Sequence, residues 1–127
     1  MQDQQLFEYA VIRIVPWVER EEFINAGIIL FCKKLNFLHV LYELNPQKIA
    51  VVDAECDIEE LSAHLKAFES IATGEKTAGP IAQLSPPERF RWLTAQRSTI
   101  IQTSKVHPGL GEDPKKIISQ LFQQLVL

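Results

Sequence analysis

The sequence predicts an α+β fold: a four-stranded, mostly antiparallel sheet with helices packed chiefly on one face. Three β-rich runs follow one another through short links between Leu6 and Leu44. Helical segments with capped apolar stripes come next, and a late β-branched run precedes a closing amphipathic helix. Links this short suit hairpins and exclude crossovers, so the first three runs form an antiparallel meander.

Leu6–Val15 reads LFEYAVIRIV and ends at Pro16. Its aromatic and β-branched residues favour a strand, and the proline stops it. Ala10, Ile12 and Ile14 share one face, while Val11 and Val15 share the other with Arg13. Residues 16–22 form a mostly polar turn. Phe23–Lys33 is a second strand, apolar on both faces from Ala26 onward. Gly27 inside it weakens the strand unless a bulge or a close approach requires it. Residues 33–36 link it to the third strand, Phe37–Leu44.

The segment after Asn45-Pro46 fits two structures. Asn as N-cap with Pro at the first position favours a short helix, whereas Ile49, Val51 and Val52 suit a strand. The cap chemistry is the more specific signal, so a helix is expected. Asp57–Thr73 is a helix, with Asp57 and Glu60 as a capping-box variant and Gly74 at the C-terminal cap. Its stripe of Ile58, Leu61, Leu65, Phe68 and Ile71 faces the sheet. Residues 75–84 read as a loop. Ser85-Pro86-Pro87-Glu88 opens a further helix, with Phe90 and Leu93 inward and Trp92 on a neighbouring face. Residues 98–104 form a fourth strand, and 105–112, containing Pro108-Gly109, form a loop. Asp113-Pro114 starts the last helix, 113–127, striped by Ile117, Ile118, Leu121, Phe122 and Leu125. The helices at 57–73 and 113–127 are expected to cover the same sheet face.

At 127 residues the chain has the size of one domain, with no repeats and no linker to divide it. Its net charge of −3 disfavours a general attraction to nucleic acid or anionic lipid. The apolar stretch Ala26–Cys32 is far short of the roughly 20 residues that span a bilayer. The N-terminus lacks a basic segment followed by an apolar core, so no signal peptide is expected. Cys32 and Cys56 make no disulfide framework, which points to a reducing cytoplasm.

No metal site or cofactor loop is legible. His39, His64 and His107 are widely spaced, and neither paired-cysteine nor glycine-rich phosphate motifs occur. Cys56 lies before a helix N-terminus, yet Asp53, Glu55 and Asp57 oppose a thiolate there. The most suggestive polar set surrounds the first two strands. Arg13 interrupts an apolar strand, and hairpin pairing brings it near Glu22 and Asn25. Two readings stand for this set: an Arg–Glu pair with an Asn satisfying turn backbone, or an anion-recognition site using a fixed guanidinium. Arg97 joins the set if the fourth strand lies beside the first. Arg89 and Arg91 are expected to be solvated.

The same residues carry a resemblance. Tyr9-Ala-Val-Ile-Arg13, Pro16 and Arg20-Glu-Glu22-Phe-Ile-Asn25-Ala-Gly27 look like the opening of an uncharacterised bacterial family, domain of unknown function 3037 (DUF3037). Phe90, Leu93, Arg97-Ser98, Ile100, Gln102, Asp113-Pro114 and Leu121-Phe122 extend the similarity over about Phe7 to Val126. The resemblance implies a small accessory protein whose gene often neighbours that of a HipA-like serine/threonine kinase, making such a kinase the expected partner. It assigns no role to Arg13, Glu22, Asn25, Gly27 or Arg97.

Three functions follow in order of support. The first is a non-catalytic interaction or regulatory module, in keeping with the missing catalytic motifs. The second is a binder of, or enzyme for, a small anionic compound, using ligand-binding Arg13, Glu22, Asn25 and Arg97. The third, a nucleic-acid binder built on Arg89, Arg91, Trp92 and Arg97, is held back by the acidic charge balance.

Overall fold

The computed structural model describes residues 4–97 and 99–127, and its first strand, β1 (Gln5–Ile14), is the axis of the sheet. On one side of β1 lie β2 (Ile24–Cys32) and then β3 (Phe37–Tyr42), both antiparallel to their neighbours. On the other side two short strands share β1. One is β4 (Ile101–Thr103), against Ile12–Ile14; the other is β5 (His107–Gly111), against Gln5–Tyr9. The sheet therefore has five strands in four lanes, the fourth lane broken between β4 and β5.

The segment after Asn45 is helical: α1 (Pro46–Val52) has Asn45 Oδ1 accepting from the N–H groups of Gln47 and Lys48. Helix α2 (Ile58–Thr73) is capped by Asp57, which accepts from Glu60 N–H, and ends at Gly74 with φ +74°. A 3-10 turn at Ile81–Gln83 precedes α3 (Pro86–Thr94), where Ser85 Oγ bonds the Glu88 carboxylate at 2.7 Å. The chain closes with α4 (Pro114–Leu125).

Three helices cover one sheet face. Ala10, Ile12, Ile14, Ile29, Leu38 and Val40 meet Ile49 of α1, Leu61 and Leu65 of α2, and Phe90 and Leu93 of α3. The long helix and the last helix do not share that face, contrary to the expectation. Helix α4 lies on the opposite side, with Ile118 and Val126 against Phe7, Val11, Ile28 and Leu30. The cause is β2, whose residues from Ala26 to Cys32 are all buried, so each face needs its own apolar cover.

Two sequence expectations are corrected at the fourth lane. The expected strand 98–104 shrinks to Ile101–Thr103, and Ser98 lies outside the described residues. Local bonds hold its start out of the ladder: Thr99 Oγ1 donates to Ile101 C=O at 2.6 Å, and Gln102 Nε2 donates to Thr99 C=O at 2.8 Å. The expected loop 105–112 instead contains β5. Its sequence, HPGLG, has weak strand propensity, but an edge position tolerates Pro108 and β1 offers an open ladder.

The pairing of β1 with β2 is irregular where polar residues enter. Ile12 faces Gly27 and Arg13 faces Asn25, so Ala26 is the extra residue of a bulge. Gly27 is required by close approach as well: a Cβ there would lie 2.5 Å from Leu41 O and 2.8 Å from Tyr42 Cβ.

Candidate functional site

Arg13 sits in the middle of the sheet's polar end. Its Cα partners are Asn25 on β2 and Gln102 on β4, so β1 carries the guanidinium between two amide residues. The side chain is half-buried and lies over the Phe23 ring, 4.0 Å from its centroid. Its Nε is buried and has no hydrogen-bond partner.

Arg97 arrives from the other direction, just after α3. It stacks on Trp92 at 3.8 Å, and its Nη2 donates to the Trp92 carbonyl. Because β4 does lie beside β1, Arg97 and Arg13 share the wall of one cleft of about 350 Å³, completed by Gln96, Gln102 and Thr103. Among the described residues neither arginine forms an ion pair. Arg13 also borders a smaller recess with Val18, Glu21 and Phe23.

The other two candidate residues are engaged elsewhere. Glu22 pairs with Arg20 at 2.6 Å, both largely exposed. Asn25 turns toward α4, where Nδ2 donates to Leu125 C=O at 3.0 Å, while its buried Oδ1 has no partner. Lys48 of α1 bonds the adjacent Val126 C=O at 2.9 Å, so two side chains hold the carbonyl end of α4.

The four residues of the suggested basic–aromatic patch are dispersed. Arg89 is not solvated as expected: Nη1 donates to Leu84 C=O at 2.7 Å, its Nε is buried without a partner, and the guanidinium lies against Gly74. Arg91 lines a separate cavity of about 540 Å³ with Glu8, Lys33 and Lys34. Those cations are on exposed, unrestrained side chains and Glu8 offsets them, so the smaller cleft is the better-defined anion site. Trp92 and Arg97 remain together.

Among the described residues no three His, Cys, Asp or Glu side chains gather to hold a metal ion. Cys32 is buried, with Sγ 3.5 Å from Leu6 C=O. Cys56 is half-buried, and burial together with Asp53, Asp57 and Glu60 pushes its thiol above its ordinary pKa. Among the described residues no helix is long and apolar enough to cross a membrane.

The fold and the cleft define an α+β protein with two arginines facing one recess at a sheet edge. The chain matches the family described as protein of unknown function (DUF3037) over residues 9–126, nearly its whole length, and belongs to it. No curated protein and no solved structure matches it.

Proposed function

We propose that this protein is a non-catalytic recognition module that binds an anionic group in the Arg13–Arg97 cleft. The observation that carries this reading is the composition of the wall: among the described residues it has two guanidinium groups, two carboxamides and a hydroxyl, with no carboxylate. Guanidinium forks match carboxylate and phosphate oxygens, and Gln and Thr supply further donors. Guanidinium, carboxamide and hydroxyl groups are hydrogen-bonding groups suited to holding an anion. Each arginine is fixed by an aromatic face, Phe23 for Arg13 and Trp92 for Arg97, so little side-chain entropy is lost when an anion arrives.

The family resemblance adds a partner class, a HipA-like serine/threonine kinase, for which this protein would act as an accessory. Two unpaired thiols suit work in the bacterial cytoplasm. The test is calorimetric titration with inorganic phosphate and pyrophosphate, using wild type, Arg97→Ala and Arg13→Met. Binding by wild type that both variants lose supports the anion site; equal binding by all three overturns it. Co-purification from the native cell tests the partner: a stoichiometric kinase-like protein that Arg97→Ala fails to retain is the expected result.

A further inference from the structure

Arg97 also borders a second space. A second cavity of about 360 Å³ opens between α2, α3 and β4, and it shares Arg97, Gln102 and Thr103 with the cleft. Its remaining wall is largely apolar, including Phe68 and Ile71 of α2, Leu93 of α3, and Ile100 and Ile101 at β4. Trp92, stacked against Arg97, lines this second space.

From this shared wall we infer that the ligand is an amphiphilic small molecule. Its anionic head meets Arg97, which borders both spaces at the edge strand β4, and its compact apolar body lies in the groove between α2 and α3. The inference rests on the anion reading above and adds the ligand's second half. Three observations support it. The apolar groove has a cationic end, so a ligand filling it gains most when that end meets a negative charge. Arg97 and Trp92 form one rigid unit, whose guanidinium faces the polar space and whose indole borders the apolar one. The groove alone, at about 360 Å³, falls within the roughly 300–1,000 Å³ typical of small-molecule sites.

Calorimetry with inorganic phosphate, phenyl phosphate and phenol separates the two halves. Phenyl phosphate is expected to bind about tenfold or more tightly than phosphate, the gain coming from burial of its ring. Ala67 is exposed and lines the groove away from the core, so Ala67→Trp fills the groove while the fold is checked by its melting curve. That variant is expected to bind phosphate like wild type and to lose the advantage of phenyl phosphate. Equal affinity for phosphate and phenyl phosphate in wild type overturns the amphiphile and leaves the anion site standing. A phenyl phosphate advantage that survives Ala67→Trp also overturns it, because the ring then lies elsewhere. Binding of phenol with no response to phosphate, or no binding by any probe, removes the anion reading and this inference together.

Discussion

Ser104 is bonded twice to Val11 across the sheet: its N–H donates to Val11 C=O at 2.8 Å, and its Oγ accepts from Val11 N–H at 2.8 Å. This is the point where the fourth lane breaks between β4 and β5. A side-chain oxygen takes the place of the missing ladder carbonyl, so β1 keeps both polar groups of Val11 satisfied inside the core. Ser104 is accordingly the single buried polar residue among those described.

Ser104→Ala is expected to destabilise the protein by about 1–3 kcal/mol, because the buried Val11 N–H loses its acceptor and water cannot replace it. Denaturant unfolding measures the loss. A change within a few tenths of a kcal/mol would show that the strand break relaxes to satisfy Val11 from the backbone.

The two faces of the sheet predict different costs for truncating their helices. Leu65 of α2 is fully buried between the sheet and its neighbours, so Leu65→Ala is expected to cost about 2–5 kcal/mol. Phe122 of α4 is only half-buried against the second core, and Phe122→Ala is expected to cost less. Urea melts of both variants check the order, and the reverse order would place the weight of the core on the α4 side.

Much of this architecture was legible, and what was missed has identifiable causes. The helix caps at Asn45, Asp57 and Asp113 act locally, and each accepts the backbone N–H bond its sequence position implies. The two-sided apolar character of residues 26–32 already demanded two covers, but helix stripes alone do not say which face each helix takes. Strand β5 was invisible because its stability comes from the partner edge of β1 and not from HPGLG itself. Of the candidate site, the Arg13–Asn25 pairing followed from the hairpin, and Arg97 joined through β4. The Asn25 bond to Leu125 spans 100 residues and had no sequence signal. Arg89 was misplaced for a similar reason, since its shelter depends on the bare Cα of Gly74.

The carbonyl end of α4 is held by Asn25 and Lys48, which approach from different elements. Asn25→Ala and Lys48→Met are each expected to cost about 1 kcal/mol. Together they should speed amide hydrogen exchange in the last turn of α4 far more than at its start. Uniform exchange along the helix would show that its apolar stripe alone fixes the end.

Cys56 gives a pH-dependent prediction with a definite sign. Burial first, then Asp53, Asp57 and Glu60, raises its folded pKa above the ordinary 9.0. The folded state therefore holds the thiol proton more tightly, and the resulting stability is present below that ordinary value. It is lost as pH rises through it toward the higher folded value. At about pH 8.5 alkylation by iodoacetamide is expected to run slower than for free cysteine, because less thiolate is present. Asp53→Asn removes one of the charges and should speed it, as read by mass spectrometry. An unchanged rate would remove Asp53 from the causes and leave burial with Asp57 and Glu60.

Trp92 makes the proposed site observable. The protein has two tryptophans, Trp17 and Trp92, and Arg97 stacks on the second. An anion drawn to the Arg97 guanidinium shifts charge density over that indole, so phenyl phosphate should change Trp92 emission. In Trp17→Phe, which keeps Trp92, the full signal is expected; in Trp92→Phe it should vanish while calorimetric phosphate binding persists. The cleft is open and its attraction electrostatic, so the midpoint should move to higher ligand concentration as salt shortens the Debye length from about 10 Å at 0.1 M to about 3 Å at 1 M. Arg13→Met keeps an apolar chain of similar reach against Phe23 and removes only the charge. If Arg13 serves only the fold, this variant will lower the melting temperature and leave the titration unmoved. Loss of the titration in a variant that melts like wild type would instead assign Arg13 to the ligand. A Trp92 response that ignores salt, Arg13 and Arg97 alike would count against an anion in this cleft.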